Sequence, residues 1–414
     1  MCGIAGFIGS SDRQLATDMV AMLHHRGPDA SDVVVFEEAG VALCHARLSV
    51  LDLATGAQPM ATPDQALWIV FNGEIYNHAD LRRQLESKGH RFRSDHSDTE
   101  VLLFAYREWG SELVSRLNGM WAFAIFDQQK QQLFISRDRF GQKPLYWTNR
   151  DGQLAFASEL TALRRHPITS ADLDPLAIQK LFAYGFIPAP HAILKDTQKL
   201  PAGHNLTYDL SSQRVTISQY WSYELEPADQ TFDARQEANW CEELRHLLGQ
   251  AVQRRMEADV PLGIFLSGGI DSSAIAAFAS QGLAQAGAGH KLKTFSIGFD
   301  EPSFDESIYF NRMAADLKTD HHVRSFSLEE MRHTVVKVLD LLDEPMGDSS
   351  ILPTYLLSQT AREKVTVALG GDGGDELFAG YDPFRALKPA SWYHALIPAP
   401  LHRLVRGMAG MLPV

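Results

Sequence analysis

Cysteine is scarce in this chain: three residues in 414, at positions 2, 44 and 241. They are too few and too scattered for a disulfide framework or a thiolate metal site, and they fit a reducing cytosol. Long apolar runs are missing as well. None approaches the roughly 18 residues that a membrane-spanning helix requires, and the N-terminus lacks the basic and extended apolar regions of a secretory signal. Basic charge is in deficit, with 38 Lys and Arg against 51 Asp and Glu and a formal net charge of −13. Such a balance argues against nonspecific binding to nucleic acid. There is no internal repeat and no Walker-type GxxxxGK(S/T) loop. These absences leave a cytoplasmic protein of two or three domains with sizeable cores. It is expected to act on small molecules, with no nucleic acid and no membrane, and homodimerisation stays open.

What is present starts at the second residue. Cys2 follows the initiator methionine and opens the run Cys2-Gly3-Ile4-Ala5-Gly6-Phe7. Once the methionine is trimmed, thiol and α-amine share one residue. An amine with the ordinary pKa of about 7.7–8.0 is partly neutral at pH 7 and can take the thiol's proton directly or through a water. The same letters also suit a small buried residue at the start of an edge strand. Downstream, His25-Arg26-Gly27-Pro28-Asp29 reads as a turn, and His45 to Asp52 alternates as a half-buried strand would. An apolar strand from Leu67 to Phe71 leads into Asn72-Gly73-Glu74, and Ser97-Asp98-Thr99-Glu100 opens a helix with Ser97 or Asp98 as cap.

These pieces match what hydrolysis of a glutamine amide needs. A thiolate attacks the side-chain carbonyl, and Asn72 Nδ2 with the Gly73 backbone N–H can receive the oxyanion. Arg47 suits the α-carboxylate through bidentate pairing, and Asp98 with Glu74 suits the α-ammonium. Plainer alternatives exist. Arg47 and Asp98 could form an ordinary ion pair, worth about 0–1 kcal/mol at a surface, and Asn72-Gly73 is a common hairpin turn.

Five such motifs in this order resemble the glutaminase domain of class II glutamine amidotransferases, over Cys2 to about residue 210. The resemblance implies an N-terminal-nucleophile αββα sandwich over residues 1–212. It implies Cys2 as nucleophile and base, Asn72 and Gly73 as oxyanion hole, and Arg47, Asn72, Gly73, Glu74 and Asp98 as the glutamine site. Arg26 resembles the arginine close to the nucleophile and is expected to be structural support.

Past this point the sequence changes character. Glu224 to Arg235 is polar and proline-bearing and reads as a linker, assigned to residues 213–236. A helical stretch from about Asn239 to Met256 and an apolar strand, 261–266, lead into Ser267-Gly268-Gly269-Ile270-Asp271-Ser272-Ser273 and an Ala-rich helix. Glycines admit backbone N–H groups to phosphate, hydroxyls add donors, and the helix N-terminus adds positive partial charge. With no lysine in the loop, the signature resembles the pyrophosphate-binding loop of ATP pyrophosphatases, which cleave ATP between its α and β phosphates. By that resemblance Leu266, Ser267, Gly268, Gly269, Asp271, Ser272 and Ser273 would hold ATP. So would the backbone near Ile297, on an expected strand 294–299, and Gly370 with Gly371, after an expected strand 365–369. Asp271 and Asp375 are the acidic residues expected on Mg²⁺, which takes phosphate oxygens plus one or two carboxylates. The same loop serves enzymes that modify tRNA, but those would show a basic face and have no use for Cys2.

Across nearly its whole length the chain resembles the glutamine-hydrolysing asparagine synthetases. The resemblance implies a doubly wound parallel α/β domain over 237–414 that adenylates aspartate, releases pyrophosphate, and receives ammonia from the first domain to displace AMP. Asp372 is a catalytic candidate, and Asp348, Ser349 and Ser350 would line the acceptor pocket or cap a helix. Family members commonly show Ser-Gly-Glu or Ser-Gly-Asp where this chain has Gly370-Gly371-Asp372. They also continue well past the equivalent of Val414, with a helical region that includes a catalytic lysine. The second domain is therefore expected to be incomplete, as a truncated product or a short relative, to expose apolar surface, and to bind ATP while forming product slowly or not at all. The alternatives are an amidotransferase for another carboxylate, such as a polysaccharide sugar acid, and a glutaminase fragment. The basic stretch from His402 to Met411, with Arg403 and Arg406, reads as a solvated helix face.

Overall fold

The computed structural model describes residues 1–226, 233–287, 289, 291–299, 301, 305–398 and 400–403. Twelve strands make the first unit: β1 (Gly3–Ile8), β2 (Ala30–Phe36), β3 (Val41–Arg47), β4 (Met60–Ala61), β5 (Leu67–Ile75), β6 (Gly119–Asp127), β7 (Gln132–Arg137), β8 (Tyr146–Arg150), β9 (Gln153–Ala157), β10 (Thr197–Lys199), β11 (His204–Asp209) and β12 (Arg214–Gln219). They form two six-stranded sheets, ordered β10-β8-β9-β1-β3-β2 and β12-β11-β7-β6-β5-β4. Between the sheets, Ile4, Leu43 and Phe156 of one meet Val70, Phe126 and Ile135 of the other.

Six helices accompany them: α1 (Arg13–Ala21), α2 (His78–Ser87), α3 (Asp98–Trp109), α4 (Leu113–Arg116), α5 (Leu160–Leu163) and α6 (Pro175–Tyr184). Met19 and Val20 of α1 and Leu160 and Leu163 of α5 cover the outside of the first sheet. Leu81 and Leu85 of α2 and Val101 and Tyr106 of α3 cover the second. Burying each such side chain is worth roughly 1.5–3 kcal/mol. The layers are the expected αββα sandwich.

Several extents differ from the sequence reading. The strand from Leu67 does not stop at Phe71, because Asn72, Gly73 and Glu74 pair with Ala122, Trp121 and Met120 of β6. Asn72-Gly73 is therefore strand interior and not a hairpin turn. The strand expected over His45 to Asp52 ends at Arg47, where a loop of residues 48–59 begins. Residues 214–219, placed above in the connection, are β12, paired along β11 with Val215 and Ile217 alternating with polar neighbours. Of that connection, residues 227–232 lie outside the described residues.

The second unit is a four-stranded parallel sheet of β13 (Leu262–Phe265), β14 (Lys293–Phe299), β15 (Asp320–Phe326) and β16 (Val367–Leu369), ordered β15-β14-β13-β16. Helix α7 (Ala234–Arg255) starts earlier than expected because Asp233 caps it, accepting from the Gln236 N–H at 2.8 Å. It packs with α8 (Ile270–Gln285) and α9 (Ser307–Asp316) on one face of the sheet through Val252, Ala276 and Phe310. On the other face α11 (Ile351–Arg362) buries Ala361 against Phe295, and α10 (Leu328–Leu341) packs on α11. The sheet is thus doubly wound. Its strand order reverses between β13 and β16, the crevice where open α/β sheets bind ligands. A short helix α12 (Gly374–Phe378) follows β16.

Apolar side chains stand exposed on this unit, among them Leu244 and Leu247 of α7 and Leu328, Val336 and Leu339 of α10. Residues 404–414, which hold Arg406 and most of the basic stretch from His402, lie outside the described residues. No helix among the described residues is long and apolar enough to cross a membrane.

Candidate active site and the cavity leading from it

The central strand β1 delivers Cys2 to the rim of the first sheet, beside the start of loop 48–59. Its sulfur accepts from the Leu48 N–H at 3.4 Å and lies 3.5 Å from the Leu48 carbonyl oxygen. Burial pushes the thiol pKa up, so a base has to take its proton before it can attack. Arg26 lies against Cys2: Nε donates to the Cys2 carbonyl at 2.9 Å and Nη1 to Glu159 at 2.7 Å. The α-amine, carried here by Met1, is pushed down to about 6 by burial and by the cations of Arg26 and Lys143.

Asn72 is 1% exposed and its Nδ2 has no hydrogen-bond partner. An unpaired buried donor costs roughly 1–3 kcal/mol, and here it is a donor free to receive an oxyanion. At Gly73 a Cβ would lie 2.1 Å from the Met120 carbonyl oxygen, so only glycine keeps β5 on β6. Asp98, in the first turn of α3, accepts from the Ile75 N–H at 3.1 Å. Burial raises its pKa; burial, and then the nearness of Asp98, push Glu74 up to about 8. Arg47 does not pair with Asp98. Its guanidinium donates to the carbonyls of Asp52 at 2.7 Å, Leu53 at 3.3 Å and Leu51 at 3.5 Å. Sequence reasoning missed Lys143, which is buried between β7 and β8 beside this pocket. Its one signal was a lysine in the turn-rich stretch Gly141-Gln142-Lys143-Pro144.

Beyond β13 the loop from Ser267 braces itself. The Ser267 and Ser272 hydroxyls stand 2.8 Å apart, Ser272 Oγ accepts from the Ser267 N–H at 3.0 Å, and Ser267 Oγ accepts from the Gly269 N–H at 3.1 Å. Ser273 donates its N–H to the Gly269 carbonyl within the first turn of α8. The Gly268 N–H is already taken, by the Glu306 carboxylate at 2.8 Å. Leu266 is buried, its N–H donating to the Phe295 carbonyl and its carbonyl accepting from the Ser296 hydroxyl, while Ile297 of β14 pairs with Arg324 of β15. The loop after β16 packs on α8: a Cβ at Gly371 would lie 2.9 Å from the Ser272 nitrogen, and one at Gly374 would lie 2.4 Å from Asp271 Oδ2. Gly374, next to Asp375, thus lies against Asp271, while the Asp375 carboxylate lies against Gly380. Asp372 folds back over Gly370. Among the described residues no group of three or more His, Cys, Asp or Glu could hold a metal by itself.

Asp348 accepts from the Ser350 N–H at 2.8 Å, a local turn just ahead of α11, whose N-cap Ser350 makes no side-chain cap bond. The preceding acidic pair, unremarked in the sequence, reaches the first unit. Asp343 accepts from the Leu160 and Thr161 backbone, and Glu344 pairs with Lys199 and accepts from the Ile193 N–H at 2.7 Å.

A single cavity of about 450 Å³ spans both units. Cys2, Arg47, Asn72, Gly73, Glu74, Asp98 and Lys143 line it from the first, and Arg255, Ile275, Ala368, Leu369, Gly370 and Asp372 from the second.

Comparison with known proteins gives matches to both units. The family model for a glutamine amidotransferase domain matches residues 1–221, and that for asparagine synthase matches residues 243–412. Asparagine synthetase (glutamine-hydrolyzing) 1 of Bacillus subtilis is 36% identical over 423 residues, covering 100% of this chain and 64% of that protein. A Methanocaldococcus jannaschii protein provisionally named asparagine synthetase (glutamine-hydrolyzing) 2 is 38% identical over 403 residues, covering 92% and 76%. Amidase chyE of Penicillium rubens is 31% identical over 416 residues, covering 93% and 60%. The chain thus spans about two thirds of the length of such relatives.

Proposed function

With membership of the glutamine-hydrolysing asparagine synthetase family as the premise, we propose that this chain amidates aspartate to asparagine. Glutamine supplies the nitrogen, ATP the driving force, and glutamate, AMP and pyrophosphate leave. The observation that carries the reading is the single cavity shared by Cys2 and Asn72 with Gly370 and Asp372.

In this reading the chain starts at Cys2. Its amine, in the buried and cationic setting that lowers the Met1 amine to about 6, takes the thiol proton, and the thiolate attacks the glutamine amide. Asn72 Nδ2 and the Gly73 N–H hold the oxyanion, Arg47 faces the α-carboxylate, and Glu74 with Asp98 faces the α-ammonium. Ammonia leaves along the cavity. The Ser267–Ser273 loop, with Leu266, Ile297, Gly370 and Gly371, holds ATP, and of these Gly370 lines the cavity. Mg²⁺ on Asp271 and Asp375 would neutralise phosphate charge when bound. The acceptor carboxylate attacks the α-phosphorus beside Asp372 and Ser349, pyrophosphate leaves, and ammonia then displaces AMP from the acyl group. Cytoplasmic location belongs to the same proposal.

A different carboxylate acceptor is the second reading. The likeness to Amidase chyE favours it, as does the engagement of Asp348 by the Ser350 N–H in the turn before α11. Incubation with glutamine, ATP, Mg²⁺ and a panel of carboxylates, read by mass spectrometry, separates them. Asparagine with AMP is the expected result, another amide moves the assignment to the second reading, and ADP with phosphate overturns both.

A further inference from the structure

The segment joining α7 to β13 lies against the glutamine pocket at three points. Arg255, the last residue of α7, sets its guanidinium 4.4 Å over the Tyr76 ring. The Glu257 carboxylate stands 3.6 Å from His78 Nε2. Asp259 does most: Oδ2 accepts from the Asp52 N–H at 2.7 Å, the same oxygen lies 2.7 Å from His96 Nε2, and the Asp259 N–H donates to the Val50 carbonyl at 3.0 Å. Each partner adjoins a residue of the pocket. Tyr76 and His78 follow Glu74 as the chain leaves β5, and His96 precedes Asp98. Asp52 offers Arg47 its shortest carbonyl contact.

We propose that Asp259 is a positioning residue for the glutamine site, holding loop 48–59 and the turn before α3 in their binding conformation and passing to them the state of the nucleotide loop. The inference rests on reading the pocket of Cys2 as the glutamine site and the Ser267–Ser273 loop as the ATP site. Arg47 spends its donors on the carbonyls of Leu51, Asp52 and Leu53, so any displacement of that loop moves the guanidinium that meets the α-carboxylate. Asp259 grips the loop from both sides, through the Asp52 N–H and the Val50 carbonyl. From Asp259 the chain runs through β13 directly into Ser267–Ser273, so a shift of that loop on binding phosphate pulls on the same strand. Coupling between binding sites is reciprocal, and nucleotide should therefore tighten glutamine binding.

The test uses the full chain beginning at Cys2 and follows glutamate release. Saturating ATP with Mg²⁺ should lower the KM for glutamine in the unaltered protein. Losing a charged hydrogen-bond partner, Asp259→Ala should raise that KM about tenfold, leave kcat within about twofold, and abolish the ATP response. Asp259→Asn keeps an acceptor for the Asp52 N–H and loses the charge facing His96, so its KM should rise about threefold; being isosteric, it still decides should the Ala variant fail to fold. An unchanged KM in both variants overturns the proposal, as does a loss of kcat and melting temperature at constant KM. Turnover that ignores ATP in the unaltered protein overturns the transmission. Absence of any glutaminase activity brings down the glutamine-site reading itself, and the inference with it.

Discussion

Glu74 and Asp98 are two carboxyl groups in one buried pocket, and such a pair holds both charges only when a cation joins it. Glu74 titrates near 8 because burial and then Asp98 raise it. Below that pH the empty pocket retains a proton that a glutamine ammonium must displace; above it the carboxylate is ready. The KM for glutamine should therefore fall as pH rises from about 7 to 8.5, and Glu74→Gln should flatten this dependence while raising KM at the upper end. Initial rates over that range check it, and an undiminished slope in the Gln variant would place the titration elsewhere. At Cys2 burial pushes the thiol up, and the neighbouring α-amine, on Met1, is pushed down to about 6. A neutral amine beside a protonated thiol is what a self-contained base requires. A chain that keeps Met1 or a tag should accordingly release no glutamate. Cys2→Ala should lose glutamine use and keep ammonia-dependent synthesis. The Lys143 cation lowers the Met1 amine and shares the pocket of Cys2, so in the trimmed chain Lys143→Met should move the acid limb of glutamate release to higher pH. A limb that stays in place would remove Lys143 from this role.

The nucleotide loop shows how one element is set by another. Glu306, just ahead of α9, occupies the Gly268 N–H, which in the proposed ATP site would serve an incoming phosphate. Charge-assisted bonds are about twice as strong as neutral ones, so Glu306→Gln should leave a weaker competitor and lower the Kd for ATP about three- to tenfold. Weaker ATP binding by calorimetry would instead make Glu306 a support of the bound state. The loop itself was legible in the sequence, as were β13, β14 and β16, because glycine and hydroxyl patterns and apolar runs are local signals. The edge strand offered for the Cys2 run is instead β1, inside its sheet between β9 and β3. The strand ends were not legible. β5 extends through Glu74 only because β6 lies beside it, and β12 joins its sheet only because β11 is there. β15 escaped notice because Asp320-His321-His322 reads as polar, which an edge strand tolerates. Arg47, Asn72, Gly73, Glu74 and Asp98 were each identifiable by type and do line one cavity. Lys143 and Asp259 act through neighbours distant in sequence, and no local pattern marks them.

At the scale of the whole molecule, the two units are fastened on both sides of the cavity. The 255–259 segment grips the glutamine pocket, and on the loop before α11 Asp343 and Glu344 reach Leu160, Thr161, Ile193 and Lys199. A shared cavity is useful for transfer only if it stays continuous while both sites work, and Ala368 offers a way to interrupt it. That residue lies on β16, paired with Gly263 of β13, and lines the cavity without belonging to the glutamine pocket or the Ser267–Ser273 loop. Ala368→Phe would fill the passage at a cost of about 1–3 kcal/mol in overpacking, which a melting curve would register. Glutamate release should remain within about twofold, since Cys2 and its pocket are untouched, and synthesis driven by added ammonium should persist because ammonia can enter from solvent. Synthesis driven by glutamine should fall well below the rate of glutamate release, so that the ratio of glutamate to amide product climbs from near one. A variant that keeps the two products in step would show that nitrogen travels by another route. Loss of ammonium-driven synthesis would mean that the substitution had damaged the nucleotide site and not the passage.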